Sequence, residues 1–252
     1  MPRSSQFLRF LTGIIFLILV LRLFTLGAYP LSDTTEARYA EIGREMVATG
    51  NWITPQLDLG LPFWAKPPLS TWLTAASIKV FGANEFAARF PAWLLAIGVL
   101  LITYRLAHSL YDRPTALLAT TVLASTGLFF GLAGGVMTDP SLGLATTLIM
   151  AGLILGLKEH SRLWGNLMFV GAGLGLLAKG PIAIVLTGFP VFIWLFWQKQ
   201  WKAFFTDLPW LTGLPLMIAI ALPWYLLAEN ATPGFLEYFF VVEHFMRFVD
   251  PH

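Results

Sequence analysis

The sequence predicts an all-α, polytopic helical membrane protein with about seven transmembrane helices and interfacial helices in its first outer loop. Composition, the spacing of the apolar runs and the charge of the loops between them each point this way. Of 252 residues, 57% are hydrophobic and 12% charged, whereas a soluble domain is about half apolar and about a quarter charged. The mean hydropathy is +0.71. A net charge of +2, with its basic residues spread along the chain, supplies no patch for nucleic acid. There is no cysteine, so disulfides and thiolate metal sites are excluded. No low-complexity tract or short-period repeat interrupts the chain, which reads as a single membrane domain over 1–252.

The first apolar run extends from Phe10 to Ala28 and is broken only by Arg22. A secretory signal would have a shorter apolar core and a small-x-small cleavage site, which Thr25-Leu26-Gly27 matches poorly. The run is read as an uncleaved helix in which Arg22 snorkels to the outer interface. Crossing the hydrocarbon core takes about 20 largely apolar residues. Six further candidates follow: Ala87–Leu106, Pro114–Ala133, Pro140–Leu157, Leu163–Ala178, Pro181–Trp197 and Leu208–Ala228. The stretch 163–197 would be about 52 Å long as one helix at about 1.5 Å per residue, too long for one crossing. Gly180-Pro181 is therefore a hairpin break, with proline opening the next helix. Pro209, Pro215 and Pro223 predict a kinked last span.

With the N-terminus cytoplasmic, the inner loops hold Arg3, Arg9, Arg105, Arg113, Lys158, Arg162, Lys199 and Lys202 against Asp112, Glu159 and Asp207. Every inner loop then obeys the positive-inside rule. Pro67–Gly82 is apolar enough to imitate a span, and crossing there would invert every later loop. Its stripe Leu69, Trp72, Leu73, Ala76 and Val80, with Ser70, Thr71, Thr74 and Ser77 opposite, marks instead an amphipathic helix at the interface. Tyr29–Asn84 is then one long outer loop, and loops of that length in compact proteins usually carry function.

A second helix in this loop starts at Asp33-Thr34-Thr35-Glu36, a capping-box pattern, with Tyr39, Ile42, Met46 and Val47 on one face. Asp33 and Glu36 have two readings. They are helix punctuation, or they are a general base or metal ligand whose ionised form the helix dipole favours. Lys66, Arg89, Asp139, Lys179, Glu243 and His244 fall on the same side. Singly, Asp139 reads as a helix cap, Lys179 and Arg89 as interfacial anchors, and His244 as an ordinary interfacial histidine. Together, cations at membrane depth can hold a phosphate or pyrophosphate head group, and nearby carboxylates can take a proton from an attacking hydroxyl.

The run Asp33-Thr34-Thr35-Glu36-Ala37-Arg38-Tyr39-Ala40-Glu41-Ile42-Gly43-Arg44-Glu45-Met46 is followed by Gly50-Asn51-Trp52, Lys66-Pro67-Pro68-Leu69, Trp72, Phe81-Gly82 and Arg89. It resembles the first outer loop of bacterial lipid-phosphate-sugar glycosyltransferases of the C-type superfamily. The relatives are the lipid A aminoarabinose transferases and the protein O-mannosyltransferase-like proteins. Asp139-Pro140, Leu177-Ala178-Lys179-Gly180-Pro181 and Glu243-His244 with Arg247-Phe248 match later landmarks in the same order. The resemblance implies a polyprenyl-phosphate-linked sugar donor, an acceptor on the periplasmic side of the bacterial inner membrane (lipid A, a protein or an envelope glycan) and inversion at the sugar. It suggests Asp33, Glu36 and Asp139 as catalytic carboxylates, with Arg38, Lys66, Arg89 and Lys179 around the donor phosphate. A divalent metal is allowed, with Glu36, Glu243 and His244 as candidate ligands.

The sequence departs from the family in three respects. Thr35 stands where the aminoarabinose transferases have aspartate directly before the glutamate. Ala65 precedes Lys66-Pro67 where an acidic residue is frequent, which weakens a metal site with His244. Family members run to about twice this length, so the match reads as their N-terminal half. A non-catalytic paralogue or lipid-binding partner is the alternative function. A transporter would need polar residues buried at mid-membrane in broken helices, and here they gather at one face.

Overall fold

The computed structural model describes residues 2–58 and 60–246. Twelve α-helices follow one another: α1 (Pro2–Thr25), α2 (Thr34–Thr49), α3 (Leu69–Phe81), α4 (Glu85–Leu110), α5 (Arg113–Ser125), α6 (Gly127–Leu132), α7 (Asp139–Glu159), α8 (Arg162–Lys179), α9 (Ile182–Gln198), α10 (Trp201–Thr206), α11 (Trp210–Ala231) and α12 (Phe235–Glu237). A π-helix, Tyr238–Met246, continues from α12. Among the described residues the one addition to the expected all-helical pattern is a small antiparallel pair between α2 and α3, β1 (Gln56–Asp58) with β2 (Leu61–Pro62).

Among the described residues, four helical segments are long and apolar enough to cross a membrane: Ser5–Thr25, Glu85–Leu110, Asp139–Glu159 and Trp210–Ala231. The remaining expected spans are shorter or interrupted. Helices α8 and α9 have 18 and 17 residues, at the lower limit of about 17 for a crossing. The expected continuous span over 114–133 is corrected to a broken one, because Thr126 is extended (φ −71°, ψ 135°) between α5 and α6. The hydroxyls of Ser125 and Thr126 bond back to the carbonyls of Val122 and Leu123, competing with the helix ladder at the break.

Close approach holds the helices together, as expected where lipid rather than water surrounds them. Helix α7 packs along α8, and a Cβ placed at Gly152 would lie 2.6 Å from the backbone nitrogen of Met168. In α3 the hydroxyl-bearing face Ser70, Thr71, Thr74 and Ser77 is the buried one, while Val80 of the apolar stripe is exposed. Thr74 meets the backbone of α2 at Gly43, and Ser70 bonds to Ser141 of α7 at 2.9 Å. With 13 residues, α3 spans only about 20 Å and joins α2 to α4 without crossing the bundle.

The loops segregate to two ends. At one, Arg105 pairs with Glu159 at 2.7 Å and His160 lies 3.7 Å from Asp207. The other end receives the end of α1, the segment 26–84, the start of α4, the α6–α7 connection, the α8–α9 hairpin and the segment after α11, joined by the contacts described next. The hairpin forms as expected: Gly180 has φ +76° and α9 starts directly after Pro181.

Candidate functional site

Asp33 caps α2, accepting from the backbone N–H groups of Thr35 (2.8 Å) and Glu36 (3.2 Å). These bonds, to Glu36 first and Thr35 second, hold its carboxyl below the ordinary aspartate range. The reciprocal half of the capping box does not form. Glu36 turns inward instead, accepting from Arg89 Nη2 at 2.9 Å and Nε at 3.4 Å and from the backbone N–H of Val136 at 3.2 Å.

Arg89 was expected beside a donor phosphate, and its geometry corrects that. The side chain is fully buried. Its Nη1 donates to the carbonyls of Leu26 (2.9 Å) and Tyr29 (2.7 Å), and Nη2 also to that of Pro30 (3.1 Å). With the two bonds to Glu36, all five guanidinium N–H groups are satisfied within the protein. The guanidinium carbon also lies 3.8 Å from the Tyr29 ring centroid. Arg89 ties the α1–α2 connection to α4 and has no donor left for a ligand. Arg22 likewise does not snorkel: it is buried, donating to Tyr29 Oη (3.2 Å) and the carbonyl of Gly131 (3.0 Å), with its Nε unpartnered.

Two further ion pairs join segments distant in sequence. Lys66 Nζ meets Glu243 Oε1 at 2.6 Å, with the Lys66 side chain 23% exposed and that of Glu243 7% exposed. Lys179 Nζ meets Asp139 Oδ1 at 2.9 Å, with 28% and 44% exposed. Asp139 is the first residue of α7 and caps nothing; its carboxylate serves Lys179. Lys66 also donates to the carbonyl of Ala65, so each ammonium, with three donors, retains capacity for an incoming anion. Arg38 is exposed on α2.

Tyr39, on the buried face of α2 one turn after Glu36, also belongs to this neighbourhood. Its ring packs edge-on against Phe63 at 5.8 Å. Burial pushes its hydroxyl up to about 12, with Arg38 opposing and Asp139 and Glu243 adding to the rise. In the sequence Tyr39 is an apolar-face residue of this helix and part of the run that carries the family resemblance.

The candidate metal ligands do not converge. Glu36 is held by Arg89 and Val136, Glu243 by Lys66, and His244 Nδ1 lies 2.6 Å from the carbonyl of Phe239 with its ring over Gly180. Among the described residues no group of three or more His, Asp or Glu side chains could hold a metal ion. Arg247-Phe248 lie outside the described residues.

Fold and loop arrangement define a multi-pass helical membrane protein. The chain belongs to the dolichyl-phosphate-mannose-protein mannosyltransferase family, whose pattern matches residues 6–239. The undecaprenyl phosphate-alpha-4-amino-4-deoxy-L-arabinose arabinosyl transferase of Edwardsiella ictaluri is 34% identical over 221 residues, covering 85% of this chain and 39% of that protein. Its counterpart in Pseudomonas savastanoi pv. phaseolicola is 34% identical over 233 residues, covering 90% and 43%. The crystal structure of ArnT from Cupriavidus metallidurans bound to undecaprenyl phosphate superposes with a TM-score of 0.89 at 25% identity, covering 94% of this chain and 44% of that one. The chain thus spans about two fifths of the length of these relatives.

Proposed function

We propose that this chain carries the donor-binding region of a membrane glycosyltransferase that moves a sugar from a polyprenyl phosphate to an acceptor on the periplasmic face of the inner membrane. The observation that carries the reading is the pairing of two part-exposed lysines with carboxylates at one end of the bundle, Lys66 with Glu243 and Lys179 with Asp139. The names of the relatives, and the undecaprenyl phosphate in the similar ArnT structure, supply the donor class. The acceptor, whether lipid A, a protein or an envelope glycan, stays open to assay.

In the reaction, an acceptor hydroxyl attacks the anomeric carbon. The bond from that carbon to the phosphate oxygen breaks, and the polyprenyl phosphate leaves with its electron pair. Lys66 and Lys179 hold the phosphate and balance the charge that develops on it. The hydroxyl proton passes to a carboxylate. Asp139 suits this role better than Asp33 or Glu36. Its side chain is 44% exposed against 12% for Glu36, which is held by three hydrogen bonds, while the exposed Asp33 is engaged as the α2 cap. No step is assigned to a metal, since the candidate ligands do not gather.

A second reading, a lipid-phosphate-binding membrane protein that transfers no sugar, is favoured by Thr35 and Ala65 where the family carries acidic residues.

Binding in lipid nanodiscs tests the donor assignment. The protein should bind undecaprenyl phosphate well above undecaprenol, and Lys179→Ala should weaken the phosphate form selectively. Lys179 is the cleaner variant, because it leaves behind the exposed Asp139 rather than the buried Glu243. Equal affinity for phosphate and alcohol would defeat the assignment. Asp139→Asn separates the two readings: in the transferase it lowers turnover by about 10²–10⁴ with lipid binding retained, whereas binding without detectable transfer by the unaltered chain favours the second.

A further inference from the structure

At the end of the bundle opposite the candidate site, a groove of about 560 Å³ lies between α7 and α9. That volume falls in the range of about 300–1,000 Å³ typical of ligand sites. One wall is Met150, Ile154 and Leu157, spaced as one face of α7. Val191 and Trp194 of α9 form the facing wall. The polar lining residues, Lys158, His160, Gln200 and Asp207, all come from the loop end of these helices. An apolar trough with a polar mouth, set in a membrane-spanning bundle, matches a lipid: hydrocarbon along the walls, head group at the mouth.

The charges at the mouth select the head group. Asp207 faces His160 Nδ1 at 3.7 Å and accepts from the Thr206 hydroxyl at 2.7 Å. Glu159 is taken by Arg105 at 2.7 Å. Lys158 Nζ donates to the carbonyl of Ser109, and an ammonium with three donors keeps two more. Lys199 and Lys202, both exposed, stand on either side of Gln200 in the chain. The acids at this mouth are engaged within the protein while positive charge is left over, and basic pockets between membrane helices favour anionic head groups. We propose that this groove binds one anionic phospholipid of the surrounding membrane, its acyl chains between α7 and α9 and its phosphate against Lys158. The site is independent of the donor reading, whose lysines lie at the other end. By the positive-inside rule it opens to the inner leaflet.

The full chain in detergent micelles is titrated with phosphatidylglycerol or phosphatidylcholine while its thermal midpoint is followed, since a lipid held by the folded state raises the midpoint. Phosphatidylglycerol should raise it and phosphatidylcholine should not. Lys158→Gln should weaken the phosphatidylglycerol response about fivefold, the contribution of one basic group at a lipid surface. Ile154→Trp, which fills the trough, should abolish the response. Arg9→Gln is the control: it removes an exposed charge from α1, which packs on α4 and α5, and should leave the response intact. Equal responses to the two lipids would overturn the head-group assignment. A loss in Arg9→Gln as large as in Lys158→Gln would also overturn the site, because the lipid would then be reading general surface charge. So would a full response in folded Ile154→Trp. If that variant does not fold, the comparison of Lys158→Gln with Arg9→Gln still decides. A wild type unmoved by either lipid would mean that something else fills the groove, such as a second protein helix, and would end the proposal.

Discussion

At the scale of single residues, the Arg89–Glu36 pair has the largest structural consequence. Arg89 is fully buried and Glu36 is 12% exposed, so neither charge is well solvated. Taking away one partner of a buried pair leaves the other uncompensated, at a cost of about 3–5 kcal/mol. Arg89→Met is therefore expected to lower the unfolding free energy by about that amount, measured by denaturant titration in detergent micelles. A loss below about 1 kcal/mol, typical of a solvated surface pair, would contradict the assignment. Arg89→Lys should not restore stability, because one ammonium cannot reach Leu26, Tyr29, Pro30 and Glu36 from a single point. The sequence marked Arg89 and Glu36 as important and assigned both to chemistry. Charge and position along the chain were legible; the fact that the two side chains satisfy each other was not, because they stand 53 residues apart.

Among the elements, the α8–α9 hairpin is the most sharply defined by local chemistry. Gly180 has φ +76°, a left-handed conformation that costs a residue with a side chain. The position is also crowded: a Cβ there would stand 2.6 Å from Phe239 Cζ. Gly180→Ala combines strain with a clash against a buried ring, so it should destabilise by more than about 1 kcal/mol, read as a lower thermal midpoint in micelles. An unchanged midpoint would mean the turn and the π-helix shift freely. Since Lys179 directly precedes this turn, the same variant should also weaken undecaprenyl phosphate binding in the donor reading. The Gly-Pro pair was legible because a 35-residue apolar stretch cannot cross once. The break at Thr126 was not, because an apolar run of ordinary length hides a short Ser-Thr-Gly interruption. The β1–β2 pair escaped for a similar reason: two strands of three and two residues carry too little alternation to register.

For the whole molecule, the question is which end faces which compartment. The loops on one end, around Arg105, Lys158 and Asp207, carry the basic excess, while the ion pairs of the candidate site occupy the other. The positive-inside rule predicts that the basic end is cytoplasmic. Because the chain has no cysteine, single cysteines report cleanly. Lys79→Cys, at an exposed position of α3, and Arg113→Cys at the start of α5 should label from opposite sides, with Lys79→Cys reached from outside. Labelling of both from the same side would refute the topology, and cytoplasmic labelling of Lys79→Cys alone would invert it.

The sequence by itself determined the helical class, most helix boundaries, the segregation of charge between loops and the membership of a family. These follow from short-range physics: residues near one another decide whether a segment is apolar enough for lipid and where a glycine or proline stops it. Only the tertiary structure decided which polar residues pair with one another. Glu36 and Arg89 became a buried clasp, and Lys66 and Lys179 kept donors to spare. A charged side chain's role depends on whether its partners come from the protein or from a ligand. Those partners lie 40 to 177 residues away, so the information exists only once the chain has packed.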